Sequence, residues 1–322
     1  MMRDHGGNLD WAVQTYGGAV ADWIDLSTGI NRLAYPVPKL PAEAWTQLPT
    51  RTAMARLLDA ARANFATTAP TIALPGAQAA IQLIPHLGSK GMARVLGPTY
   101  NEHAGALRAA GWQVKEVTDL QGLSGADLAV IVNPNNPDGR CVGRAAIMNV
   151  LPSVGRLVVD ESFVDATPAF SCTPDADTPR LIVLRSFGKF YGLAGVRLGF
   201  ALGNGKDIKA LAALAGPWPV SGAAIEIGTK ALLDDNWSRT TILRLGEDVR
   251  RMDKMAGKMG REAVGGTALF RLFQVDDAQA AQDHLAKHRI WSRVFPYSTK
   301  WLRLGLPGDE TEWRRLGAAL GG

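Results

Sequence analysis

Between residues 71 and 203 the chain repeats one pattern: a short, unbroken apolar run, then a stretch with helical spacing, then another apolar run. TIALPG (71–76) precedes AQAAIQLIPHL, and ARVLGPTY (93–100) precedes NEHAGALRAAG (101–111). WQVKEV (112–117) alternates like a strand, and LAVIVNPNNPDG (128–139), RLVVDESF (156–163), RLIVLRSFGKF (180–190) and VRLGFALG (196–203) continue the series. Strands with no polar alternation are buried on both faces, and the intervening helices supply the cover. The pattern predicts an α/β fold with a mostly parallel central sheet sandwiched by helices. In such sheets ligands bind beyond the carboxyl ends of the strands. The unusual residues of this chain sit at those ends: Gly76, Tyr100, Asn136, Asp160 and Lys189.

From about residue 206 helical patterns dominate, through the long stretch that ends in MDKMAGKM. TALFRLFQV (267–275), AQAAQDHLAKH, IWSRVF (290–295) and KWLRLGLPG (300–308) then predict a smaller α/β domain, with Arg293 and Arg303 on or beside its strands. We expect a large domain over residues 40–210, and a small domain made of 1–39, including an N-terminal arm, and 211–322.

Composition excludes several classes of function. With 47% hydrophobic and 20% charged residues the chain is globular. Its net charge of +5 is small and its basic residues are scattered, so no nucleic-acid footprint is expected. Two cysteines, Cys141 and Cys172, form neither a disulfide framework nor a paired zinc motif. No metal is expected, and a reducing cytoplasm is the natural compartment. No apolar run approaches the ~18 residues of a membrane span. The polar opening MMRDHGGNLDW has no apolar signal core.

The stretch SFGKFYGLAGVRLGF (186–200) holds one lysine among small and apolar residues. By itself it reads first as a surface lysine between turn glycines. A desolvated lysine, however, has a depressed pKa, and its neutral amine can attack a carbonyl to form a Schiff base. A pyridine-aldehyde cofactor on such a lysine needs a carboxylate to keep its ring nitrogen protonated, and Asp160 ends a buried strand. It needs a donor to its phenolic oxygen, and Asn136 is an amide in a turn cluster. Its phosphate needs backbone N–H groups and donors. The turn Gly76–Ala77–Gln78 opens a helix, while Ser186 and Arg197 flank Lys189. Tyr100 could stack on the ring.

NPNNPDG, VVDESF and SFGKFYGLAGVRLG in this order and spacing resemble the fold-type I pyridoxal-phosphate enzymes of the aspartate aminotransferase superfamily, from about residue 24 to 308. The resemblance implies that Lys189 carries pyridoxal 5'-phosphate, that Asp160 pairs with its pyridine nitrogen and that Asn136 bonds its phenolic oxygen. It gives Ser186, Arg197 and residues Gly76, Ala77 and Gln78 to the cofactor phosphate, and Arg303 in WLRLGLP to the substrate carboxylate. It also implies a homodimer acting on a small substrate.

Within the superfamily, HGGN (5–8) and WIDLSTGIN (23–31) are similar to the N-terminus of threonine-phosphate decarboxylases of cobalamin biosynthesis. That likeness implies a substrate-phosphate pocket containing His5 and Asn31, with Arg293 as a further cation. The implied reaction converts L-threonine O-3-phosphate to (R)-1-amino-2-propanol O-2-phosphate and carbon dioxide. Transamination of a compound such as histidinol phosphate uses the same residue types. A partner in cobalamin synthesis without turnover is the alternative from another class, against which Lys189, Asp160 and Asn136 argue. Two departures stand out. Phe163 occupies a position where many relatives have tyrosine, and Leu48–Pro49 stands where many have a tyrosine–proline pair.

Overall fold

A computed structural model describes residues 5–257 and 262–321. Lys258 and Met259, at the end of the predicted helical stretch, lie outside the described residues. The strands in chain order are β1 (Ile24–Asp25), β2 (Thr71–Leu74), β3 (Met92–Leu96), β4 (Gln113–Val117), β5 (Leu128–Val132), β6 (Leu157–Asp160), β7 (Leu181–Ser186), β8 (Gly199–Gly203), β9 (Ala263–Thr267), β10 (Phe270–Gln274), β11 (Ile290–Trp291), β12 (Arg293–Phe295) and β13 (Ser298–Gly305). The chain forms two compact units. One comprises Tyr35–Asn136 and Cys141–Trp237; the other lies within Met1–Ala34, Pro137–Arg140 and Ser238–Gly322.

The first unit is built on a seven-stranded sheet of order β2-β8-β7-β6-β5-β3-β4. β8 runs antiparallel to β2 and β7, and every other pairing is parallel. Six strands therefore point the same way, and their carboxyl ends share one edge. The unbroken apolar runs explain this arrangement. Every residue of β5 and β6 is buried, with Val130, Val158, Ile182 and Leu184 in one core cluster. Each such side chain contributes roughly 1.5–3 kcal/mol when fully buried. Helix Arg51–Asn64 is capped by Thr50, whose Oγ1 accepts from Ala53 N at 3.1 Å. It packs on helix Gly222–Leu232, where a Cβ on Gly228 would stand 3.0 Å from Leu57 Cδ1. Helix Gly205–Ala215 packs on β2 and β8. The change of composition near residue 210 is therefore not where this unit ends; its last helices follow the sheet to Trp237.

The second unit has a four-stranded antiparallel sheet, β12-β13-β10-β9, covered by helix Ala278–Lys287, and a short parallel pair, β1 with β11. Trp11, Tyr16, Trp23 and Trp291 form an aromatic cluster against Ala12 and Ala286. Asn8 caps helix Leu9–Tyr16 through Oδ1, which accepts from Trp11 N at 3.2 Å. The turn 137–140 belongs here too, because Gly266 N donates to Asp138 O at 2.9 Å. A Cβ on Gly265 would fall 2.0 Å from that same oxygen, so the approach needs glycine.

Candidate active site

All nine residues predicted to hold a cofactor line one cavity in the first unit: Gly76, Ala77, Gln78, Tyr100, Asn136, Asp160, Ser186, Lys189 and Arg197. The sheet explains why. Gly76 follows β2, Tyr100 follows β3, Asn136 follows β5, Asp160 ends β6 and Ser186 ends β7, all at the shared edge.

Lys189 lies on the short helix Phe187–Phe190 directly after β7. The helix is wedged by aromatic rings: Phe187 stacks on Tyr191 at 4.5 Å, and Tyr191 stacks on Trp237 at 5.4 Å. A Cβ on Gly188 would come within 2.8 Å of Ala194 Cα, so this glycine lets the following loop fold back. Lys189 is half-buried, and its Nζ stands 5.5 Å from the centre of the Phe163 ring. Phe163 is buried and lines the same cavity.

Asp160 is 1% exposed. Its Oδ2 lies 2.8 Å from His103 Nε2, and its Oδ1 accepts from Ser162 N at 3.0 Å and Ser162 Oγ at 2.5 Å. Burial alone would raise its pKa, but the hydrogen bond and charge of His103 and the two Ser162 bonds outweigh it. The carboxyl is held below the ordinary aspartate value. A carboxylate whose ionised form is favoured thus lines the cavity.

The end of the cavity that follows β2 is shaped by a glycine. Gly76 has φ +81°, and a Cβ there would lie 2.7 Å from Arg197 Nη2. The missing side chain leaves room for a guanidinium against the turn that opens helix Ala77–Leu83. Gln78 is engaged at both ends of its amide: Nε2 donates to Glu102 Oε2 at 2.8 Å, and Oε1 accepts from Tyr100 Oη at 3.2 Å. It orders Tyr100 through its side chain. Asn136 is presented by two asparagines before it. Asn133 exchanges bonds with Val142 N and O, and Asn135 bonds Pro98 O and Thr99 Oγ1.

The second unit carries the residues predicted for substrate. His5 and Arg293 line a cavity with Ser27 and Ser292, whereas Asn31 and Arg303 lie outside its lining. Asn31 is buried, and its Oδ1 accepts from Arg244 Nη2 at 2.8 Å. Arg303 stands opposite Arg293 in the β12–β13 register. Burial first, and then the charge of Arg293, push Arg303 down to about 9. It remains cationic at neutral pH, and like charges placed opposite each other repel. An anion between them would relieve that repulsion. Among the described residues no cluster of His, Cys, Asp and Glu is placed to hold a metal ion.

Residues 46–320 match the family of class I and II aminotransferases. The chain belongs to this family. The threonine-phosphate decarboxylase of Pseudomonas aeruginosa is 41% identical over 326 residues, covering 99% of this chain and 97% of that one. The threonine-phosphate decarboxylase of a Sinorhizobium species is 39% identical, covering 98% and 97%. The histidinol-phosphate aminotransferase of Sinorhizobium meliloti, solved in complex with pyridoxal-5'-phosphate, superposes with a TM-score of 0.84 at 20% identity, covering 97% of this chain and 93% of that one. This last likeness shows the fold.

Sequence reasoning missed two residues of this class I and II family member that bond Asp160. His103 is one. It sits three residues after Tyr100 on helix Asn101–Ala109, where a histidine among alanines and a leucine reads as core. Ser162 is another, hidden between Asp160 and Phe163. On the opposite face of the sheet, Glu161 is fully buried and accepts from Ser171 Oγ at 2.6 Å and Cys172 N at 2.5 Å. Arg185 Nη1 lies 3.8 Å from Glu161, while Nη2 donates to Asp165 at 2.7 Å. Burial pushes Glu161 up to about 7, against the pull of Arg185 and those two bonds.

Proposed function

We propose that this protein decarboxylates L-threonine O-3-phosphate with pyridoxal 5'-phosphate as cofactor. The products are (R)-1-amino-2-propanol O-2-phosphate and carbon dioxide, a step of cobalamin biosynthesis. The observation that carries the reading is the 41% identity to a threonine-phosphate decarboxylase over nearly the full length of both chains.

The residues of the first unit fit the cofactor. The ionised, buried Asp160 suits a protonated pyridine nitrogen, and the space above Gly76 beside Arg197 suits a phosphate. Lys189 would tether the aldehyde carbon, Asn136 would donate to the phenolic oxygen, and Tyr100 would cover the ring. Ser186, Arg197 and the Gly76–Ala77–Gln78 turn would hold the phosphate. Bound there, the cofactor supplies a sink for the electron pair left on Cα when carbon dioxide departs. Asp160 keeps that sink positive, and His103 and Ser162 keep Asp160 ionised. Phe163 provides an apolar wall instead of a further donor.

In the second unit, His5, Asn31, Arg293 and Arg303 form the anion-binding set for the substrate's phosphate and carboxylate. We also read the protein as a cytoplasmic homodimer. Trp45, Leu48 and Trp218 are exposed on the first unit, and Cys172 is a buried free thiol. No helix of the described residues is long and apolar enough to cross a membrane.

The deciding experiment supplies the protein with cofactor and L-threonine O-3-phosphate, without a keto acid. Stoichiometric carbon dioxide and aminopropanol phosphate are expected. No release, together with glutamate formed from histidinol phosphate and 2-oxoglutarate, would replace this reading with an aminotransferase.

A further inference from the structure

Ser27 joins two parts of the second unit that lie far apart in sequence. Its segment is fixed by backbone bonds on both sides: Leu26 N donates to Trp291 O at 2.8 Å, and Gly305 N donates to Leu26 O at 2.7 Å. Within this frame Ser27 is 0% exposed and all of its polar atoms are used. Its N–H and Oγ–H donate to Asp25 Oδ1, at 2.9 and 2.6 Å. Its Oγ accepts from Gly7 N at 2.7 Å, and its carbonyl accepts from Arg303 Nη2 at 2.7 Å.

These bonds have a direction. The hydroxyl has one proton, given to the Asp25 carboxylate, so its lone pairs are left to receive the Gly7 N–H. A hydroxyl that donates to a carboxylate is polarised and becomes a better acceptor. One serine thereby holds the arm that carries His5 by its side chain and the guanidinium of Arg303 by its backbone. The fit is close: a Cβ on Gly6 would lie 2.5 Å from Ser27 O and 3.1 Å from Ser27 Oγ. Ser27 also lines the same cavity as His5 and Arg293.

We infer that Ser27 is a positioning residue that sets His5 and Arg303 for recognition of a phosphorylated substrate. The inference rests on the proposed function for the class of substrate, but not on which bond is broken. Ser27 does not have to touch the ligand; it acts through the arm and the arginine. Loss of its hydroxyl frees the arm while the carbonyl bond to Arg303 remains, so it should reduce discrimination for the phosphate group rather than weaken all amino acids equally.

The test compares dissociation constants for L-threonine O-3-phosphate and L-threonine, read from the absorbance of the cofactor-loaded protein, with carbon dioxide release scored in parallel. Ser27→Ala should lower the preference for the phosphorylated ligand by about tenfold, as expected for loss of the hydrogen bond from Gly7 that holds the arm. Ser27→Thr, which keeps the hydroxyl, should retain the preference. Gly6→Ala leaves Ser27 intact and pushes the half-exposed arm away from it. It should reproduce the loss even where the buried Ser27→Ala change prevents folding. An undiminished preference in Ser27→Ala or Gly6→Ala overturns the inference. A wild-type protein that prefers the phosphorylated ligand but releases no carbon dioxide overturns the proposed reaction and leaves the role of Ser27 standing. A wild-type protein with no preference overturns both.

Discussion

Replacing His103 by leucine removes the ring nitrogen 2.8 Å from Asp160 Oδ2 and leaves the Ser162 bonds to Oδ1 in place. The magnitude is bounded on two sides. A hydrogen bond to a charged group is worth about 1.5–3 kcal/mol, and breaking a buried pair costs about 3–5 kcal/mol. The carboxyl can escape the larger penalty by taking up a proton. At pH 7, protonating an ordinary aspartate with a pKa of about 3.9 costs roughly 4 kcal/mol. A loss of about 3 kcal/mol at neutral pH follows, since Ser162 still supports one oxygen.

The pH dependence separates this loss from a packing defect. In the native protein Asp160 lies below its unfolded value. Its contribution is present above that unfolded value and is lost as pH falls through the folded one. In His103→Leu burial dominates, and the folded pKa moves above the unfolded value. The folded state then holds a proton that the unfolded state has released. Stability falls by up to ~1.4 kcal/mol per pH unit as pH rises towards the new folded pKa. Urea unfolding of the cofactor-free protein at about pH 5.5, 7 and 8.5 measures this. The deficit should widen between about pH 5.5 and 7 and then level off, because a loss smaller than the cost of protonation leaves the carboxyl ionised at neutral pH. A deficit that is the same at all three values, or one below ~1 kcal/mol at neutral pH, would refute the assignment of His103 as the group that keeps Asp160 ionised.

Other parts of the site make separate predictions. Gly76→Ala places a Cβ 2.7 Å from Arg197 Nη2, and the backbone at φ +81°, ψ 162°, a region essentially confined to glycine, should cost roughly 1–3 kcal/mol. Arg197 is exposed and can swing away, so the main effect should be weaker cofactor binding, by about tenfold in an absorbance titration. Glu161, held up at about 7, contributes stability below its unfolded pKa that is lost as pH rises towards neutrality. Glu161→Gln should flatten that decline in urea unfolding, where the native slope approaches ~1.4 kcal/mol per unit, and an unchanged slope would count against a protonated Glu161. Lys189→Ala should retain the thermal midpoint, because the residue is only half-buried, yet reduce carbon dioxide release by roughly 10³-fold or more.

The sheet and the cavity were legible because the apolar runs are unbroken and end at residues that a buried strand does not otherwise favour. Position along a strand was therefore readable, but the face was not. Asp160 and Glu161 are adjacent acids, and successive strand side chains point to opposite sides. Asp160 turns towards His103 on helix Asn101–Ala109, and Glu161 turns towards Arg185, Ser171 and Cys172. One carboxyl is pushed down by its partner and the other is pushed up by burial. The same step of one residue separates Arg185, over the ring of Phe65, from Ser186 in the cavity. No local pattern distinguishes these pairs, because VVDESF and LRSFGK name the residues without naming what packs over each side. The partners come from elsewhere: His103 is 57 positions from Asp160, and Ser27 is 276 positions from Arg303. In the proposed site, recognition of a charged cofactor ring thus depends on which of two neighbouring acids the fold pairs with a histidine, and that choice is made by the helix that carries His103.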